Sequence, residues 1–119
     1  MMNLNWIKCG SPNQTWCDFI NLNLDHPNLN GVEGVYMIWH GAPNPAVVRL
    51  GQGNIRDRLK AHRLDPEIIK FWSQGLYATW ASVPATSRDG VEKYLANTWS
   101  PKVGDAFPNV APIAVNSPW

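Results

Sequence analysis

The sequence predicts one small α/β domain with the element order β-β-α-β-α. Three observations point there. A chain of 119 residues suits a single core. Two apolar runs flank a turn-rich loop, and two stripes at helical spacing bracket a third, alternating run.

Residues 1–32 mix Asn, Leu, Trp and Pro without a sustained period and end in HPNLNG, which reads as a short helix or strand followed by turns, an N-terminal extension. From Gly34 to Trp39 the run GVYMIW is apolar on both alternating faces, as in a strand covered on two sides. AVVRLG, 46 to 51, reads the same way, and HGAPNP between them is a hairpin loop. A hairpin symmetric about that six-residue loop sets Trp39 opposite Ala46 and Tyr36 opposite Arg49.

NIRDRLKAHR follows, with Asn54 as N-cap and Ile55, Leu59 and His62 on one helical stripe. DPEIIKFW supplies a short helical piece with Pro66 in its first turn. LYATWASV alternates as the third strand, and a second long helix runs from about Thr86 with Val91, Leu95 and Trp99 inward. Residues 105–119 are too rich in Pro for a helix.

Composition removes several classes of function. Net charge is +1, so no global field draws a polyanion. Charge is instead local: Arg49, Arg56, Arg58, Lys60 and Arg63 fall within fifteen residues in which Asp57 is the only acid. Cys9 and Cys17 lack zinc spacing and read as free thiols in a reducing compartment. The opening MMNLNWIKCG lacks an uninterrupted apolar stretch and no apolar run approaches the roughly 18 residues of a membrane span, so a soluble, cytoplasmic protein without membrane contact is expected. LGQGN before a helix could face an anion, but Arg56 stands where a dinucleotide fingerprint needs its third glycine, and no Gly-Lys-Ser/Thr ending follows. No Gly-x-Ser-x-Gly elbow is present.

The remaining signal is an order of residue types: Gly34-Val35-Tyr36, Arg49-Leu50-Gly51, then Arg58 and His62 one turn apart, then Glu92 on the second long helix. In that order the chain resembles the GIY-YIG nuclease superfamily over about residues 33–104. GVY stands as the first signature strand, RLG where the second usually reads Tyr-Ile-Gly, and NIRDRLKAH as the arginine helix. The resemblance implies a small central, mainly antiparallel three-stranded sheet flanked by helices. It also implies a tyrosine and an arginine at the scissile phosphate, and one glutamate holding a divalent metal.

On that resemblance Tyr36 is the general base, a phenol whose ordinary pKa of about 10 must be depressed. Arg49 replaces the family's second tyrosine, and a guanidinium opposite Tyr36 would favour the phenolate. Arg58 forks onto the phosphate, and His62 donates a proton or a hydrogen bond. Glu92 binds Mg2+ or Mn2+, which keeps waters and takes its other ligands from the substrate. Arg56, Lys60 and Arg63 contact the nucleic-acid backbone. Gly104 stands where the family often has an asparagine, and Asn116 is a candidate replacement.

Each residue also has a plainer reading. Tyr36 is a good strand aromatic, Arg49 an edge arginine with its head in water, and Arg58 one half of an internal ion pair. His62 can simply pack, and Asn116 can cap a turn. Asp89 and Glu92, or Thr86 and Asp89, fit a helix capping box. Trp6, Trp16 and Trp119 could stack unpaired bases, whereas Trp39, Trp80 and Trp99 belong to the core. His26 and His40 receive no role.

The expected function is therefore a divalent-metal-dependent endonuclease acting on nucleic acid, DNA before RNA, with a protein partner supplying specificity. One alternative is a catalytically inactive nucleic-acid-binding module of the same fold. The other is a protein-interaction domain using the Trp- and Pro-rich flanks.

Overall fold

Four antiparallel strands, in the order β1-β4-β2-β3, form the sheet of this computed structural model, which describes residues 1–10, 15–104 and 106–119. The strands are β1 (Cys17–Asp18), β2 (Glu33–His40), β3 (Ala46–Asn54) and β4 (Leu76–Ser82); the helices are α1 (Ile55–Arg63), α2 (Pro66–Ile69) and α3 (Ala85–Trp99). The mixed α/β class and the order of the expected elements hold. The count of strands does not: β1, only two residues long, adds a fourth.

β2 is buried along Gly34–His40 because both faces of the sheet are covered. On one face Tyr36, Ile38, Val48, Ala78 and Trp80 pack with Ile55 and Leu59 of α1 and Ile68 of α2. On the other, Val35, Met37, Val47, Leu50 and Ala81 pack with Val91, Leu95 and Ala96 of α3. This is the period of two expected of a strand, read from both sides.

The β2–β3 register differs from the symmetric hairpin. His40 pairs with Ala46 and Trp39 with Val47; after a bulge Ile38 pairs with Arg49 and Tyr36 with Gly51. The loop is one residue shorter than expected, and the bulge adds one residue to β3, so Arg49 is diagonal to Tyr36 rather than opposite it. Both remain on one face.

α1 starts as its sequence predicts: Asn54 Oδ1 accepts from the Asp57 amide at 3.0 Å, and Ile55, Leu59 and His62 are buried. α2 is capped by Asp65, whose Oδ1 accepts from the Glu67 amide at 2.9 Å. α3 departs from expectation. Pro84 precedes it and no side chain caps it, so neither proposed capping box forms; Asp89 turns to β3 instead.

The outer side of β3 is partly covered by the chain after α3, where the Lys102 and Val103 amides donate to Val47 and Val48 carbonyls. Near the N-terminus, the Ile7 amide donates to Trp80 O and the Thr79 hydroxyl to Ile7 O, laying this segment beside β4. Met2 bridges Val115 in parallel, while Asn116 accepts from the Leu4 amide and donates to Leu4 O.

Cys9 and Cys17 are joined in a disulfide, correcting the expectation of free thiols. The physical reason is local: the Cys9 amide donates to Thr15 O, and the Cys9 and Cys17 Cα atoms stand 4.9 Å apart, within reach of a bridge. No helix among the described residues is long and apolar enough to cross a membrane.

Candidate active site

β2, β3 and α1 bring three of the expected site residues to one point. Tyr36 projects from the middle of β2 across Gly51 of β3. A Cβ on Gly51 would fall 2.5 Å from the phenol oxygen and 2.9 Å from Cζ, so the absence of a side chain there is what lets the ring lie flat. The phenol oxygen then reaches Nε2 of His62, on the last turn of α1, at 2.5 Å. The two rings tilt at 49° with centroids 5.2 Å apart.

Arg49 closes the group from the strand side. Its guanidinium packs against Gly104, whose φ of 92° and contact with Arg49 Nη1 both disfavour a side chain. Arg49 Nε is buried without a hydrogen-bond partner. Arg58, one turn before His62, is exposed, with its aliphatic stem beside Gly53. Among the described residues it has no ion pair, so the salt bridge that was its plainer reading is absent.

The electrostatics partly reverse the expectation for Tyr36. Burial raises the phenol above its ordinary pKa, and this outweighs the lowering by Arg49 and Arg58. A guanidinium on the same face therefore moderates the shift but does not depress the phenol. His62 is lowered to about 4, chiefly by burial and then by Arg49 and Arg58, so its ring is neutral at neutral pH. Tyr36 is 1% exposed and His62 8%, which places the pair beneath the surface, with Arg58 at the surface.

Glu92 of α3 comes to the same end of β3 from the other side of the sheet. It is half-buried, and burial is the largest cause of its raised pKa. Gln52 of β3 donates to Asp89 Oδ1 at 2.6 Å and to Glu92 Oε2 at 3.3 Å, joining two carboxylates that stand three residues apart on one helix face. Asp89 raises Glu92 further, and Arg49 opposes this weakly. The pair thus has an amide donor and, among the described residues, no ion pair. Sequence reasoning missed Gln52, although strand alternation two residues after Leu50 turns it toward α3.

The three cations expected to contact nucleic acid are engaged within the chain. Arg56 donates to Leu24 O at 2.7 Å, His26 O at 3.0 Å and Asn30 Oδ1 at 2.7 Å. Lys60 pairs with Asp25 at 2.6 Å, and Arg63 donates to the Phe19 and Leu22 carbonyls. Together they hold residues 18–30 against α1. Asn116 is bound to Leu4 and lies with the N-terminal segment. Trp6 is buried and donates to Asn116 O.

Among the described residues no three of His, Cys, Asp and Glu stand close enough to share a metal ion. Glu92 with Asp89 still fits a hard divalent cation: oxygen donors, surplus negative charge and neighbouring solvent suit an ion that keeps most of its waters. Comparison with protein-family models, with curated proteins and with solved structures finds no match for this chain.

Proposed function

We propose that the chain is a GIY-YIG-like endonuclease that hydrolyses phosphodiester bonds of nucleic acid, preferably DNA, with one Mg2+ or Mn2+ held by Glu92. The observation that carries the reading is the Tyr36–His62 hydrogen bond with Arg49 and Arg58 beside it. Packing alone does not call for a phenol, a neutral imidazole and two guanidiniums at one point. A phosphate engages all four.

In this reading Arg58, free at the surface, takes the non-bridging oxygens first. Arg49 offers its unsatisfied Nε to the same group. Arrival of the anion offsets the field of Arg49 and Arg58, which adds to burial, the larger cause, in keeping His62 unprotonated. Tyr36 then takes a proton from the attacking water while its own passes to Nε2 of His62. This relay does not need a depressed phenol pKa, because the imidazole is the final acceptor. The divalent cation at Glu92, when bound, supplies positive charge to the phosphate and the leaving oxygen.

The test is nicking of supercoiled plasmid in the presence of Mg2+, beside Glu92→Ala. Nicking that is lost in the variant supports the reading, and absence of nicking by the native chain overturns it. The burial of Tyr36 and His62 favours a second reading, an inactive nucleic-acid-binding module, which predicts retention of DNA in a gel without nicking. The interaction-domain reading predicts neither. The Cys9–Cys17 bridge supports an oxidising setting rather than the cytoplasm expected from the sequence.

A further inference from the structure

The N-terminal segment is fastened by two holds of different kinds. Near its start the hold is non-covalent: the Met2 amide donates to Ala114 O, the Leu4 amide to Asn116 Oδ1 and Trp6 Nε1 to Asn116 O. At its end the hold is the Cys9–Cys17 bridge. Between them Ile7 lies against β4, past the two residues of β4 that β1 pairs. Its amide donates to Trp80 O at 2.9 Å, and its carbonyl accepts from the Thr79 hydroxyl at 2.7 Å. We propose that the bridge is a redox latch: a dithiol reductant opens it and frees residues 7–9 from β4 while the rest of the fold stays closed. The proposal does not depend on the phosphodiesterase reading.

The two halves of the bridge are held unequally. Cys17 is fully buried and pairs with Ala78 across β1 and β4. Phe19, two residues on, donates its amide to Leu76 O and accepts from Arg63. A reduced Cys17 thiol packs there as a small apolar group, so this side keeps its place. Cys9 is exposed, and its amide is bound to Thr15 O within the same loop rather than to the sheet. Cleavage therefore releases one side alone.

Exposure also makes Cys9 the half of the bridge that a reductant can reach. One thiolate of the dithiol attacks Cys9 Sγ, the S–S bond breaks, and the electron pair leaves on Cys17 Sγ, which takes a proton. The second thiolate of the reductant attacks the mixed disulfide, which releases Cys9 as a thiol and closes the reductant into its own disulfide. The chain gains two electrons and two protons, and the reductant loses them.

Opening changes a defined surface. Ile7, Lys8 and Cys9 line a groove of about 450 Å³ together with Leu22, Leu29 and Trp80. Trp80 is 7% exposed with the segment in place. Withdrawal of residues 7–9 widens this groove and leaves Trp80 O and the Thr79 hydroxyl to water. The cysteines are eight residues apart, and loss of so short a closure favours local opening by about tenfold to a hundredfold.

Amide hydrogen exchange, followed residue by residue on the full chain with and without dithiothreitol, reads the latch directly. Reduction should speed exchange of the Ile7 and Cys9 amides by about tenfold to a hundredfold and leave the buried amides of β2 as they were. Cys9→Ser should show the fast exchange with or without the reductant. The proposal fails if the bridge withstands dithiothreitol in the folded chain, or if both amides keep their protection after reduction. It fails equally if β2 loses protection with them, because the bridge would then staple the whole fold.

Discussion

The phenol oxygen of Tyr36 and Nε2 of His62 stand 2.5 Å apart, linking the middle of β2 to the last turn of α1 beneath the surface. The link serves stability as well as chemistry, so the two must be measured separately.

Tyr36→Phe removes the hydroxyl and leaves the buried imidazole nitrogen without its partner. Urea unfolding should show a loss of about 1–3 kcal/mol. Nicking should fall at least about a hundredfold under conditions where the variant remains folded. A folded variant with unchanged nicking would remove Tyr36 from the proposed relay.

The pKa of His62 gives stability a defined pH dependence. The unfolded chain protonates this ring near 6.5, whereas the folded chain resists down to about 4. As pH falls through that window the unfolded state gains a proton first, so the folded state loses stability. The full effect is roughly 2 kcal/mol, reduced because the ring keeps some contact with solvent. Glu92, raised by burial, acts with the opposite sign in the carboxylate range. Denaturation of the native chain and of His62→Gln across pH 7 to 4 isolates the histidine: the variant should lose the slope, and an unchanged slope refutes the assignment.

Gly51→Ala should destabilise by about 1–3 kcal/mol, since the new methyl meets the Tyr36 ring. In a Tyr36→Phe background the nearest colliding atom is gone, so the same substitution should cost less. A double-mutant cycle reads this coupling, and strict additivity would show that Gly51 does not seat the phenol.

Arg56→Ala should cost about 1–3 kcal/mol and should speed proteolysis within residues 18–30, because three acceptors lose one guanidinium. A cation serving only an external phosphate would leave stability within about 0.5 kcal/mol. Thermal melts of the variant decide between these roles.

Locally encoded features could be read from the sequence. The Asn54 cap and the Ile55, Leu59 and His62 stripe depend on residues one turn apart, as does the alternation of β2. Features set by distant partners could not. The bulge that shifts Arg49 arises within the paired strands, and β1 is too short to carry a period. Arg56, Lys60 and Arg63 resembled a basic surface because their acceptors lie 26 to 44 residues away in an irregular segment. Tyr36 and His62 were proposed for one site from the motif order; their direct contact needed Gly51 to be recognised as space rather than as a turn.

The covering of β3 by Lys102 and Val103 has a consequence for solubility. Ala46, Val47 and Val48 are the most apolar stretch of an edge strand, the kind of rim onto which other molecules add strands and grow into aggregates. Two of its carbonyls are already occupied by the chain's own amides. Shortening the protein to the end of α3 would bare that rim, and the product should precipitate on concentration even with every proposed site residue in place.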